Sequence, residues 1–111
     1  EDETTVKELE YDTYDSVVSE ETTQKLRYML EQVVENGGGK NAYVEGLRIG
    51  GKTATSQTLP RGSGKYIASF LGFAPADNPK VMALAIIDTP QGLYYGGQIA
   101  APVVRQLFEN N

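Results

Sequence analysis

The clearest pattern of apolar positions runs from Leu26 through Met29, Leu30, Val33 and Val34, a spacing of i, i+3, i+4, i+7 and i+8. That spacing lines one face of a helix. Ser19 stands where an N-cap belongs, with Glu20 and Glu21 near the positive end of the helix dipole. Gly37-Gly38-Gly39 closes the segment, so the pattern predicts a helix over 20–36 with its Met and Leu stripe in the core. Upstream, Leu9, Tyr11 and Thr13 alternate at period two, and Thr4 to Ser16 reads as an extended segment or edge strand. Downstream lie three strand-like runs, Leu47–Thr58, Lys65–Ala74 and Val81–Thr89. Leu59-Pro60-Arg61-Gly62-Ser63-Gly64 separates the first two, and Pro75-Ala76-Asp77-Asn78-Pro79 the last two. Connections this short hold no crossover helix, so the strands are expected to form an antiparallel meander. After Gly96-Gly97 a last helix carries Pro102 in its first turn, with Val103, Val104, Leu107 and Phe108 predicted to face inward. The fold class is therefore α+β: a three-stranded antiparallel meander packed against a helix on its N-terminal side and a C-terminal helix. Residues 1–16 form an acidic extended segment, and 17–111 a single structural unit.

Composition narrows the chemistry. A chain of 111 residues is one small domain or a piece of a larger one. It contains no histidine and no cysteine, which removes disulfides, thiolate nucleophiles, Cys/His zinc sites and any Ser-His-Asp triad. Neither a cofactor nor a metal is expected. Residues 1–35 hold 11 acids against three bases, a net of −8, while residues 36–111 hold four acids against seven bases, a net of +3. An acidic chain with scattered bases does not fit nucleic acid. No apolar run reaches the length of a membrane span, and the opening Glu1-Asp2-Glu3 is not a signal peptide. Without an initiator methionine, the chain reads as starting inside a longer parent.

Gly46-Leu47-Arg48-Ile49-Gly50-Gly51-Lys52-Thr53 matches G-x-x-x-x-G-K-[ST], the pattern of a phosphate-binding loop. Its surroundings do not suit one. Such a loop follows a buried strand and opens a helix at the lysine. Here the lysine leads into Thr53-Ala54-Thr55-Ser56-Gln57-Thr58, which favours a strand and is then broken by Pro60. Taken as a strand, Lys52-Thr53-Ala54-Thr55 puts Thr53 and Thr55 on one face and Lys52 and Ala54 on the other. Two neighbouring hydroxyls can bind a carboxylate, and a lysine beside them adds positive potential. A threonine-rich edge strand of no special purpose has the same pattern.

Gly51-Lys52-Thr53-Ala54-Thr55-Ser56-Gln57 resembles the G-K-T-G-T-A-Q segment of class B penicillin-binding proteins, the D,D-transpeptidases that crosslink peptidoglycan. Further segments agree in the family's order: Val18–Thr22, Gly39–Ala42, Lys65–Pro75 and Tyr94–Val103, so the resemblance covers about 17–110. The stage V sporulation protein D group is a subfamily that fits. The resemblance implies a partial penicillin-binding/β-lactamase-like fold. It also implies that Lys52 supports proton transfer and that the Thr53 and Thr55 hydroxyls hold the carboxylate of a β-lactam or a D-Ala-D-Ala stem peptide. The backbone N–H of Thr55 would be an oxyanion donor. It places the parent outside the cytoplasmic membrane, tethered by an anchor that this segment does not contain.

The sequence departs from the family in two ways. Ala54 stands where the motif usually has glycine, and its methyl is expected to crowd the layer behind the strand. None of Ser16, Ser19, Ser56, Ser63 and Ser69 has lysine three residues on or asparagine two residues on. The S-x-x-K nucleophile and the S-x-N motif are therefore missing. The chain reads as the C-terminal third of a transpeptidase domain, inactive by itself. The alternatives are a non-catalytic binding module with the same fold and, behind it, a nucleotide-binding loop. An exposed sheet edge and apolar surface lead to the expectation of self-association, with Thr4 to Ser16 covering a neighbouring surface.

Overall fold

The computed structural model describes residues 7–92 and 94–110. Helix α1 spans Glu20–Asn36, the range that the periodicity predicts. The Ser19 hydroxyl accepts the Thr22 N–H at 3.1 Å, satisfying one of the open donors of the first turn. At the other end the N–H groups of Gly37 and Gly39 both donate to Val33 O. A 3-10 turn at Lys40–Ala42 follows.

Strands β1 (Gly50–Gln57), β2 (Tyr66–Ala74) and β3 (Val81–Asp88) form one antiparallel sheet in the order β1-β2-β3. The meander is as predicted. A short helix α2 (Gly96–Ile99) precedes α3 (Ala101–Glu109), which carries proline in its first turn. The register pairs Thr53 with Phe70 and Phe70 with Ala85, so these three side chains share a face. That face is the packed one. Phe70 and Ala85 join Val34 of α1, Ala42, Ile49, and Val104 and Phe108 of α3 in a single buried cluster. Gly72 makes the close approach of α3 possible, because a Cβ there would lie 2.9 Å from Val104 Cγ1.

The opposite face is largely open. Lys52 and Ala54 of β1, Leu71 of β2, and Met82, Leu84 and Ile86 of β3 point to it and are exposed. The Ala54 methyl points to this face, away from the threonine pair, and no element of the described residues packs against it. Phe73 belongs to this face too, but its ring folds over Gly50 and is buried.

The orientation of the helices differs from the sequence reading. Val34 is buried, while Leu26 and Met29 are exposed. The inner line of α1 instead runs through Arg27, Glu31 and Val34. Glu31 is turned inward because Arg48 reaches it with two hydrogen bonds, of 2.8 and 2.9 Å, and also contacts Asp77 at 3.1 Å. A hydrophobic stripe could not reveal that a carboxylate takes the inner position. In α3 only Val104 and Phe108 of the four predicted residues are buried, because a nine-residue helix on one sheet presents a narrow stripe. Residues 7–16 pair with no strand of the sheet, and Leu9 and Tyr11 are exposed, so of the two readings, extended segment or edge strand, the paired edge strand is absent there. Thr4, Thr5 and Val6 lie outside the described residues.

Candidate functional site

The β1–β2 hairpin sets the phase of the free edge of β1. Thr58 N–H donates to Lys65 O at 2.9 Å, which continues the β1–β2 register by one residue. Hydrogen-bonded and non-bonded pairs alternate along an antiparallel ladder. The backbone groups of Gly51, Thr53, Thr55 and Gln57 therefore point away from β2. Lys52 supports this phase: its side chain curls to the same edge and Nζ donates to Thr53 O at 2.7 Å.

Thr53 and Thr55 lie side by side on the packed face, as their two-residue spacing requires. Above them sits the Tyr95–Gly97 turn. Gly96 N–H donates to Thr55 Oγ1 at 3.0 Å, leaving the Thr55 hydroxyl proton available to an acceptor. Only glycine fits there, since a Cβ would lie 2.3 Å from Ser69 O and 2.6 Å from Ala54 O. Asn41 Nδ2 donates to Gly97 O at 2.8 Å, tying the turn after α1 to α2. Together these groups enclose a cleft of about 350 Å³ whose lining includes Thr53, Thr55, Lys40, Asn41, Tyr95 and Gln98.

Lys52 does not line this cleft. It stands on the opposite face, and only its ammonium comes round to the shared edge. The three predicted site residues are thus joined by an edge, with the hydroxyl pair on one side and the amine on the other. The same segment cannot be a phosphate-binding loop, because Gly50 to Thr53 are inside an antiparallel strand and not at the start of a helix.

Sequence reasoning missed Lys40, Asn41, Tyr95 and Gln98 as parts of the site. Asn41 and Gly97 are 56 residues apart, so no local pattern could join them. The Gly96-Gly97 pair was the available signal, since adjacent glycines mark close backbone approach. Next to the cleft the Tyr66 and Tyr94 rings stack with centroids 4.1 Å apart, and Tyr94 and Tyr95 follow at 4.5 Å. The hydrogen bond from the Tyr94 hydroxyl to the Tyr95 hydroxyl, reinforced by their mutual electrostatics, pushes the Tyr94 hydroxyl up to about 12. Among the described residues no cluster of acids offers a metal site, and no helix is long and apolar enough to cross a membrane.

Residues 6–109 match the family model for the penicillin-binding protein transpeptidase domain. The chain belongs to that family. It is 46% identical over 99 residues to stage V sporulation protein D of Bacillus subtilis, a match covering 86% of this chain and 15% of that protein. Among solved structures, the transpeptidase domain of the FtsI4 D,D-transpeptidase of Legionella pneumophila superposes with a TM-score of 0.71 at 37% identity, covering 84% of this chain and 36% of that one. The transpeptidase domain of Burkholderia pseudomallei penicillin-binding protein 3 gives a TM-score of 0.67 at 38% identity, covering 90% and 35%. The α+β sheet-and-helix arrangement is therefore that of part of a penicillin-binding transpeptidase domain.

Proposed function

We propose that this chain forms one wall of a transpeptidase site that crosslinks peptidoglycan and binds β-lactams. The observation that carries the reading is the pair of Thr53 and Thr55 hydroxyls beside an edge that carries the Thr55 N–H and the Lys52 ammonium. The hydroxyls hold the terminal carboxylate of a D-Ala-D-Ala stem peptide, and Lys40 across the cleft adds positive potential. An extended peptide lies along the open edge of β1 and pairs with its backbone groups. The Thr55 N–H stabilises the oxyanion, and Lys52 assists proton transfer.

The reaction is acyl transfer in two steps. A serine oxygen attacks the D-Ala-D-Ala carbonyl and expels the terminal D-alanine, forming an ester. An amine of a second stem peptide then takes the acyl group and releases the serine. No serine in these 111 residues has lysine three positions on, so the nucleophile comes from residues outside this chain. The protein acts on the outer side of the cytoplasmic membrane, held there by an anchor likewise outside these residues. The chain alone associates with itself through its uncovered sheet surface.

A two-dimensional NMR titration with a D-Ala-D-Ala peptide tests the site. Binding at millimolar concentration should shift the amides of Thr53, Thr55, Gly96 and Gly97, and a C-terminally amidated peptide should not. Unmoved amides at those positions would overturn the assignment of the cleft. Fluorescent penicillin should leave the chain without covalent label. Labelling would show a nucleophile within it.

A further inference from the structure

Helix α2 has four residues, Gly96–Ile99, too few to fix its own direction, since a single helical turn is unstable by itself. Distant side chains hold it from two sides. On one side the Gly96 N–H donates to Thr55 Oγ1 at 3.0 Å, and on the other Asn41 Nδ2 donates to Gly97 O at 2.8 Å. A carbonyl oxygen only accepts, so the Asn41 amide meets it with its nitrogen. The space between the two holds has no slack. A Cβ on Gly97 would lie 2.4 Å from Gly38 O and 3.4 Å from Thr53 Cγ2. Asn41 also has a firm mount. It sits in the 3-10 turn Lys40–Ala42, where the Ala42 N–H donates to Gly39 O and the Tyr43 N–H to Lys40 O, and Ala42 is fully buried in the core.

We propose that, given the carboxylate-binding cleft on which this rests, Asn41 is a positioning residue for carboxylate recognition. By holding the Gly97 carbonyl it keeps the Gly96 N–H on Thr55, so that the Thr55 hydroxyl meets its ligand as a donor. A free threonine hydroxyl turns to donate or to accept. With Gly96 on one of its lone pairs, the Thr55 oxygen is engaged as an acceptor and its proton is left for the ligand. Donation into the oxygen also polarises the O–H bond, which strengthens the hydrogen bond that it gives. A carboxylate offers acceptors only and suits such a hydroxyl, whereas a carboxamide brings N–H donors that do not. Asn41 acts through Gly96 and Thr55. Without it the Gly97 carbonyl turns to water, the turn lifts from β1, and the Thr55 hydroxyl is free to rotate. A hydroxyl that must be ordered on binding gives part of its gain back as entropy.

Amide hydrogen exchange followed by NMR, with no ligand present, tests the first link. Asn41→Ala removes the donor, and Asn41→Asp keeps the shape while putting an acceptor in its place. Both should lower the protection of the Gly96 amide about fivefold, the worth of one ordinary hydrogen bond. The Ala42 and Tyr43 amides, bonded within the turn, should keep theirs. Gly96 protection unchanged in Asn41→Ala, or lost equally at Ala42 and Tyr43, would overturn the proposal. In Thr55→Val the Gly96 amide has already lost its acceptor, so adding Asn41→Ala should quicken its exchange no further. A further loss in that double variant would show that Asn41 does not act through Thr55. Titration with a D-Ala-D-Ala peptide tests the second link. Asn41→Ala should weaken binding roughly two- to fivefold, part of one hydrogen bond. Full affinity in a variant whose Gly96 amide has been freed would overturn the role in recognition. A wild-type chain that binds no peptide would overturn the carboxylate reading of the cleft and the recognition half of the proposal with it. The exchange results would still decide whether Asn41 governs Gly96 and Thr55.

Discussion

The hydroxyl of Thr55 accepts the backbone N–H of Gly96 at 3.0 Å, across 41 residues of chain. This bond holds the turn before α2 over the candidate carboxylate-binding strand. It also explains why position 96 is glycine. The turn must come within hydrogen-bond range of a side chain while its own Cα rests on the backbone of Ala54 and Ser69.

Breaking this contact should loosen the site before it unfolds the protein. Thr55→Val leaves the Gly96 N–H without its acceptor, at a cost of about 1 kcal/mol. Gly96→Ala forces the turn away from the sheet and should cost roughly 1–3 kcal/mol. Urea unfolding should rank Thr55→Ser, Thr55→Val and Gly96→Ala in order of increasing loss. Faster hydrogen exchange should appear first at residues 95–98.

The hydroxyl pair is expected to act jointly on a carboxylate. Replacing Thr53 with valine keeps the shape and removes one charge-assisted hydrogen bond, worth roughly 1.5–3 kcal/mol. Affinity for a D-Ala-D-Ala peptide should fall about tenfold or more. Affinity for the amidated peptide should be almost unchanged, and NMR titration of both ligands checks the difference.

The Glu31–Arg48 pair should matter to stability through the carboxylate. Glu31 is buried, and Arg48 holds both of its oxygens, which in turn keeps the guanidinium more firmly protonated. Arg48→Met strands that carboxylate and should lower Tm by about 5 °C or more. Replacing both partners, as in E31L/R48M, should recover much of the loss because no charge is left buried. Thermal denaturation of the two variants separates these outcomes.

Tyr94 should give an alkaline signature. Its hydroxyl is raised from 10.0 to about 12 by Tyr95, so the folded state favours the protonated phenol. A group raised in the folded state contributes fully below its unfolded value and loses that contribution as pH rises through the folded value. The window is therefore pH 10 to 12. Of the seven tyrosines, one should ionise late in a tyrosinate absorbance titration. Tyr95→Phe should move that late step back toward 10 and flatten the fall of stability across the window.

Local pattern was enough for the elements. The stripe from Leu26 to Val34, the cap at Ser19 and the glycines after Asn36 placed α1 at its observed bounds. The short turns dictated antiparallel order, because a few residues cannot carry a chain back for a parallel strand. Period two also settled that Thr53 and Thr55 share a face, a consequence of the pleat alone. The rotation of α1 was not legible in this way. Which of two adjacent stripes turns inward depends on what waits on the other side, and Arg48 offered Glu31 a partner that a hydrophobic count ignores.

The amino-acid order thus determined where helices and strands run, how the strands connect, and which residues alternate across the sheet. All of these follow from interactions within a few residues. Tertiary structure alone decided that Lys40, Asn41, Tyr95 and Gly96 gather around the threonine pair. It also decided that Lys52 joins them only through the strand edge, and that α1 and α3 both pack on the face that carries Phe70 and Ala85. Those outcomes rest on contacts between distant segments, such as Asn41 with Gly97 and Thr55 with Gly96. Such contacts form only after the sheet exists to bring the segments within a few ångströms.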